Sequence, residues 1–528
     1  MQMVLKQILV FFMTLLASAS SLSLPGRQTT ADFPKAQVKA KTLLLVNVPA
    51  DGSALTLASM QGLLANRSKK NLLFRAGNVQ KWLPYTDAVT VPTQPDGAPW
   101  DLPSLLREFA PFFDGYLLCD ETGAAAALSM ANQKNSIAVL PEFEETVRAA
   151  GLPLTADVRG MTDLRFRRTP EFKALRRDVA FEQPTAFAPR LVDYAVMCGG
   201  YVWYDPDVKF KGSHANIFRF LDDDALVFGY NHDLGELGTV SSLSQLNACL
   251  IPADHAYNLS VLSGFESAAV RQRTAPADAA AGGRTVCLLM SDGDNLQWFL
   301  NNYDDASHFG SPVRGDFPFA WGVPAGAPDL AAPVLGRRYD EMDANDEFVL
   351  SLSGLGYTFP SKWTNRRALD RMAGTLADKA RRLDARALLV LDDGGFRSRA
   401  LDTLLTETDA DGMFYIDFHD YAGLNGKIRF VNGKPIVAAR YKLWNSNPGC
   451  SPEEIAAAIN ALPTDPHDPD SYAFVIVHAW SGLNADGAFA EGGDTMQAVQ
   501  KLVGLLDADT RVVTPSQFFA RVTEACGN

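Results

Sequence analysis

The sequence predicts a multidomain α/β protein, with small N-terminal α/β domains followed by a C-terminal (β/α)-barrel-like domain of the TIM type or an irregular version of it. Three observations carry this. Short apolar runs alternate with helical stretches from residue 42 onward, a stretch of small residues interrupts the alternation near residue 280, and eight further apolar runs then follow. Eight such units in about 245 residues match the strand count and length of a barrel, and a seven-stranded barrel would give the same pattern.

In order along the chain, the first 19 residues predict a secretory signal. Lys6 precedes an apolar run from Ile8 to Leu16, and Ala17-Ser18-Ala19 supplies the small-residue cleavage pattern. The run is short of the roughly 18 to 20 apolar residues a membrane span needs, and no later stretch reaches them. A mature protein outside the cytoplasm, periplasmic or extracellular and not inserted in a membrane, is therefore expected. Residues 35–155 predict the first α/β domain, with apolar runs at 42–48, 72–74, 115–119 and 137–140 and helical stretches between them. Asp51 and Asp120 fall at strand ends there, but no glycine-rich phosphate loop accompanies them, so no nucleotide site is read.

Residues 159–275 predict a second α/β domain. It opens with a charged helix over 169–178 and continues through strand-like runs at 191–197, 225–230 and 248–252. His232 and the Asp254-His255 pair follow such runs in loops, where they could face a ligand. Small residues with proline and glycine over 273–284 mark the boundary of the last domain, 280–528. Its runs lie at 285–290, 317–323, 347–352, 387–391, 413–416, 435–439, 473–479 and 511–513, with helices over 365–383 and 452–462.

A formal charge of −13 argues against nucleic acid or an anionic membrane as partner. Of the six cysteines, Cys119, Cys198, Cys249 and Cys287 sit in or beside apolar runs and read as core. Cys450 and Cys526 remain as the pair open to a disulfide. No C-x-x-C occurs, and no cofactor is expected.

Two segments stand out in the last domain. Gly354-Leu355-Gly356-Tyr357-Thr358-Phe359-Pro360 packs two glycines, two rings and a proline directly after an apolar run, the make-up of a rigid loop at a strand end. Ser291-Asp292-Gly293-Asp294-Asn295-Leu296-Gln297-Trp298 places carboxylates after another. Together they resemble the GxGYxYP family of exported bacterial proteins regarded as glycoside hydrolases, with Phe359 where the family name has a second tyrosine. The resemblance implies smaller N-terminal domains ahead of a catalytic-type domain, and a carbohydrate substrate.

Barrel sites are built from residues just after each strand. Those positions here offer Asp292, Asp294, Asn295 and Trp298, then Trp321, Tyr357 and Phe359, then Asp392, Asp417 and His419, and finally Arg440, His478 and Trp480. Glycoside hydrolysis needs an acid and a second carboxylate about 5 to 9.5 Å apart. Asp292 and Asp294, two apart in an extended chain, would project to one side with Cα atoms roughly 6.6 Å apart. Asp417 or Asp392 is the expected partner from the opposite wall, and the remaining residues would contact the sugar. A metal-dependent deacetylase, using Asp292, Asp294, His419 and His478, is the rival enzyme. A carbohydrate-binding protein without turnover is the rival of another class, since it needs the rings but not opposed carboxylates.

Overall fold

The computed structural model describes residues 32–204, 219–230, 235–273 and 283–527. The signal segment, His232 and most of the linker lie outside the described residues.

Strands β1 (Thr42–Val46), β2 (Lys70–Phe74) and β3 (Val89–Val91) form a parallel sheet in the order 2-1-3. A second parallel sheet takes β4 (Gly115–Leu118), β5 (Ser136–Val139) and β6 (Leu154–Asp157) in the order 5-4-6. Two sheets thus occupy the span in which the sequence predicts one layer. The third unit joins β7 (Val179–Glu182), β8 (Tyr201–Trp203), β9 (Leu226–Gly229) and β10 (Cys249–Ile251) in the order 10-9-7-8.

Local pattern misleads twice in this unit. The run at 191–197 is a helix, Val192–Cys198, buried at every position and packed on the equally buried helix Ser53–Ala65. An apolar run with no polar face cannot distinguish a buried strand from a buried helix. Its stop signal is Gly199, whose φ of 66° ends the helix in the left-handed conformation. The charged helix expected over 169–178 shrinks to one turn, Pro170–Lys173, capped by Thr169, because β7 begins at Val179.

The last domain is one curled sheet. It runs through β11 (Arg284–Met290), β12 (Phe319–Pro324), β13 (Asp346–Ser351), β14 (Ala387–Asp392) and β15 (Gly412–Asp417), all parallel. The hairpin strand β16 (Ile428–Val431) pairs antiparallel with β17 (Lys434–Ala438). β17 lies on β15, while β18 (Tyr441–Leu443) lies on β19 (Tyr472–Val477), which returns to β11. The two residues between β17 and β18 make the closure: Ala439 N–H donates to Tyr415 O at 2.9 Å, and Arg440 N–H to Phe474 O at 2.9 Å. One interrupted strand therefore bridges both ends of the sheet. The hairpin of β20 (Ser481–Leu483) and β21 (Phe489–Glu491) stands apart, and the expected eighth strand is only β22 (Thr510–Val512), added to the lower half of β11.

The third unit docks on this barrel through the loop at 354–360. Leu250 of β10 and Tyr357 exchange backbone hydrogen bonds of 2.9 and 2.8 Å. Phe359 N–H donates to Ser244 Oγ at 2.8 Å, Thr364 N–H to Asn247 Oδ1 at 2.8 Å, and Arg371 Nε to Asp224 Oδ2 at 2.8 Å. Gly356 makes the approach possible, since a Cβ there would stand 2.3 Å from Ile251 Cδ1 and 2.5 Å from Leu250 O. At Gly354 the nearest atom is the Met372 sulfur at 3.2 Å, the end of a flexible side chain. Gly356→Ala should therefore cost about 1–3 kcal/mol of stability, and Gly354→Ala clearly less. Urea unfolding of the two variants checks this, and equal midpoints would show that the seam does not constrain Gly356.

Candidate active site

The segment after β11 is a tight turn rather than an extended chain. Asp292 takes a φ of 59°, and Gly293 lies against Gly322 of β12 so closely that a Cβ would come 2.2 Å from the Gly322 Cα. Asn295 then caps the helix Leu296–Leu300, its Oδ1 accepting from Trp298 N–H at 3.1 Å. The turn still delivers both carboxylates to one place. Asp292 and Asp294 line a cavity of about 300 Å³ at the barrel mouth, together with Asn295, Tyr357 and Tyr421.

The opposite wall belongs to the third unit. Tyr230 follows β9, Glu236 lies in the first turn of the helix Gly235–Gln245, and Asp254 and His255 follow β10. Leu352, Leu389, Leu391 and Ile416 form an apolar floor. The cavity is thus shared between two units, and the seam through Tyr357 sets its width.

Electrostatics distinguishes the carboxyls. Asp294 is 7% exposed; burial first, then the negative charge of Asp292, pushes it from its ordinary 3.8 up to about 8. Its own backbone N–H opposes the shift, and Glu236 adds to it. Glu236 is exposed as a residue, but its carboxyl turns inward to accept from the Tyr357 hydroxyl at 2.5 Å. Desolvation of that carboxyl raises it above its usual range, the Tyr357 bond pulls it back, and Asp292 raises it further. Asp292 is held by the Ser291 hydroxyl, which in turn accepts from Ala479 N–H at 3.1 Å.

His478 borders this group. Burial lowers it while Asp292 opposes the shift, its Nδ1 lies 2.9 Å from Ser481 Oγ, and its ring stacks on Trp444 at 4.1 Å. Trp444 meets Tyr421 edge-on at 5.3 Å, so an aromatic wall runs outward from the cavity.

Other expected site residues lie elsewhere. On β14, Leu389 and Leu391 face the cavity, so alternation turns Asp392 away, where it is fully buried and accepts from Ser361 Oγ at 2.8 Å. Burial raises it to about 6. On β15 Ile416 faces in, and Asp417 instead accepts from Gly394 N–H at 3.0 Å and His419 N–H at 3.1 Å. His419 is exposed and pairs with Asp393 at 3.0 Å. Arg440 is buried against Asp470 at 2.7 Å.

The aromatic expectations divide similarly. Trp321 is fully buried, donating its Nε1 hydrogen to Asp346 Oδ1 at 2.9 Å. Phe359 is buried between Tyr357 and Phe418, and Trp298 packs among Tyr303, His308 and Trp480. Trp480 is 37% exposed and lies outside the cavity lining. Glu236, Tyr230 and Tyr421 belong to no motif that marks them in the sequence. Position after β9 and β15 was their only signal.

Among the described residues, no group of three His, Cys, Asp or Glu side chains is arranged to hold a metal ion. Cys450 and Cys526 are free thiols, so the pair open to a disulfide is not joined. No helix among the described residues is long and apolar enough to cross a membrane.

Layered α/β units around a barrel, with carboxyls gathered at its mouth, define the architecture. The model of the GxGYxYP putative glycoside hydrolase C-terminal domain matches residues 283–523, that of the GxGYxYP third domain residues 178–264, and that of the GxGYxYP_N second domain residues 113–170. The chain belongs to the GxGYxYP family. In fold it is similar to a crystal structure described as that of a putative hydrolase from Bacteroides thetaiotaomicron VPI-5482, with a TM-score of 0.83 at 24% identity over 96% of this chain and 99% of that one. No curated protein matches the chain.

Asp294 also couples to stability. Folded protein keeps its proton up to about 8, whereas the unfolded chain releases it near 3.8, so between those values the native state holds more protons and stability falls as pH rises. Asp294→Asn should leave stability nearly unchanged at pH 4 and raise it by at least about 1 kcal/mol at pH 8. Urea unfolding at the two pH values measures the difference; an equal effect at both would show that Asp294 titrates normally.

Proposed function

We propose that this chain is an exported glycoside hydrolase and that a sugar unit of its substrate occupies the cavity between the third unit and the barrel. The observation that carries the reading is a pair of neighbouring carboxyls in unlike surroundings at one cavity. Asp294 keeps a proton at neutral pH, beside Asp292, whose negative charge helps to hold it there. That is the division of labour glycoside hydrolysis requires. Asp294 gives its proton to the glycosidic oxygen as the bond to the anomeric carbon breaks. Asp292 either attacks that carbon or takes the proton of the attacking water.

Glu236, with Asp254 beside it and in place of Asp417, faces this pair across the cavity. Its hydrogen bond from Tyr357 fixes its position at the mouth, where it would meet sugar hydroxyls. The apolar floor suits a sugar's C–H face, and the Tyr421–Trp444–His478 wall suits the portion that leaves. The family description supports the hydrolase class; sugar, linkage and carboxyl roles belong to the proposal. Export rests on the N-terminal pattern of the sequence.

Mass spectrometry of a broad glycan panel after incubation with the mature protein tests the reading. Shortened glycans are expected, with turnover reduced about 10²- to 10⁴-fold in Asp292→Asn and Asp294→Asn and largely retained in Asp417→Asn. Turnover should fall above about pH 8, as Asp294 loses its proton. Metal-dependent loss of acetyl groups would move the assignment to a deacetylase, and binding without any product would make it a carbohydrate-binding protein.

A further inference from the structure

We infer that the cavity selects its sugar by charge, binding an amino sugar with a free ammonium group in preference to the matching neutral sugar and excluding the matching uronic acid. This rests on the glycoside reading only for the ligand being a saccharide. Four carboxyl side chains, Glu236, Asp254, Asp292 and Asp294, line about 300 Å³, and no arginine or lysine is among the described residues that line it with them. The floor offers only aliphatic carbon, which cannot solvate an ion.

The second observation is Asp294 itself. More than nine-tenths buried and lining the cavity, its carboxyl has a hydrogen bond only to its own backbone N–H among the described residues, with no side-chain partner. Buried carboxyls are normally satisfied by donors. Water or the occupant of the cavity therefore meets this carboxyl, and an occupant with N–H donors suits its free oxygen. An ammonium brings three N–H donors and a positive charge into a space where carboxyls already oppose one another, whereas a uronate adds a further negative charge with nothing to pair it. Asp254 Oδ2 lies 3.5 Å from His255 Nε2, which leaves Glu236 and Asp292 as the carboxylates that an ammonium would meet first beside Asp294.

The test is a calorimetric titration of the mature protein with glucose, galactose and mannose, each beside its 2-amino and uronic acid forms. In at least one of the three configurations the amine should bind about tenfold more tightly than the neutral sugar, and the uronate more weakly than either. Glu236→Gln, a change at an exposed position, and Asp292→Asn should each reduce the amine's advantage. Uronates binding as well as amines, no measurable binding by any amine, or an advantage unchanged in both variants would overturn the inference. So would Mg²⁺ or Ca²⁺ titrating into the site and abolishing the advantage, since the carboxyls would then serve a metal. Hydrolysis is scored separately: amine preference without turnover of any glycoside would leave this inference standing and remove the hydrolase reading, while turnover without amine preference would do the reverse.

Discussion

Two backbone hydrogen bonds between Leu250 and Tyr357 hold the functional geometry together. They bring the loop after β13 onto β10, and so they fix the distance between the barrel mouth and the third unit. Four residues of the family heptapeptide bear on this contact. Gly356 lets the chains approach, Thr358 accepts from the Trp363 indole at 2.7 Å, and Phe359 is buried beneath. Tyr357 does the most, since its backbone makes the seam and its hydroxyl reaches across it to Glu236. The motif is thus primarily a joint, and only Tyr357 among its rings reaches the cavity.

The joint creates an electrostatic problem that a single barrel would not have. Glu236 and Asp254 arrive from one side, Asp292 and Asp294 from the other, above an aliphatic floor. Gathering carboxyls above an aliphatic floor is unfavourable, and burial beside the charge of Asp292 keeps a proton on Asp294, with no arginine or lysine among the described residues that line the cavity. Such conflict is typical of sites where binding or chemistry, and not stability, sets the residues. Elsewhere the same chain pairs its buried charges directly, as with Lys379 on Asp329 at 2.7 Å and Arg314 beside Asp346.

How much of this was legible in the sequence depended on which residues local pattern governs. Asp292 and Asp294 were legible as strand-end carboxylates because they follow a strongly apolar strand, although the turn that carries them takes a left-handed residue, Asp292, rather than an extended chain. Asp392 and Asp417 were misplaced by a single residue of parity: Leu391 and Ile416 face the cavity, so their successors cannot. Trp321 illustrates the same parity, directed to a buried contact with Asp346. Glu236 was illegible for a different reason. Its meaning comes from a tyrosine 121 positions away in another unit, and no local signal reports a contact of that kind. The barrel itself was readable from its runs, but its closure through Ala439 and Arg440 depends on pairing that periodicity does not encode.

The central claim is that a carboxyl from the third unit acts on the carboxyls of the barrel. Carboxyl NMR titration of Asp294 in the wild-type protein and in Glu236→Gln tests it directly. Since the charge of Glu236 helps to hold the proton on Asp294, the apparent pKa should fall from about 8 when that charge is removed. An unchanged value would mean that the two carboxyls do not share one cavity, and the composite site would have to be abandoned.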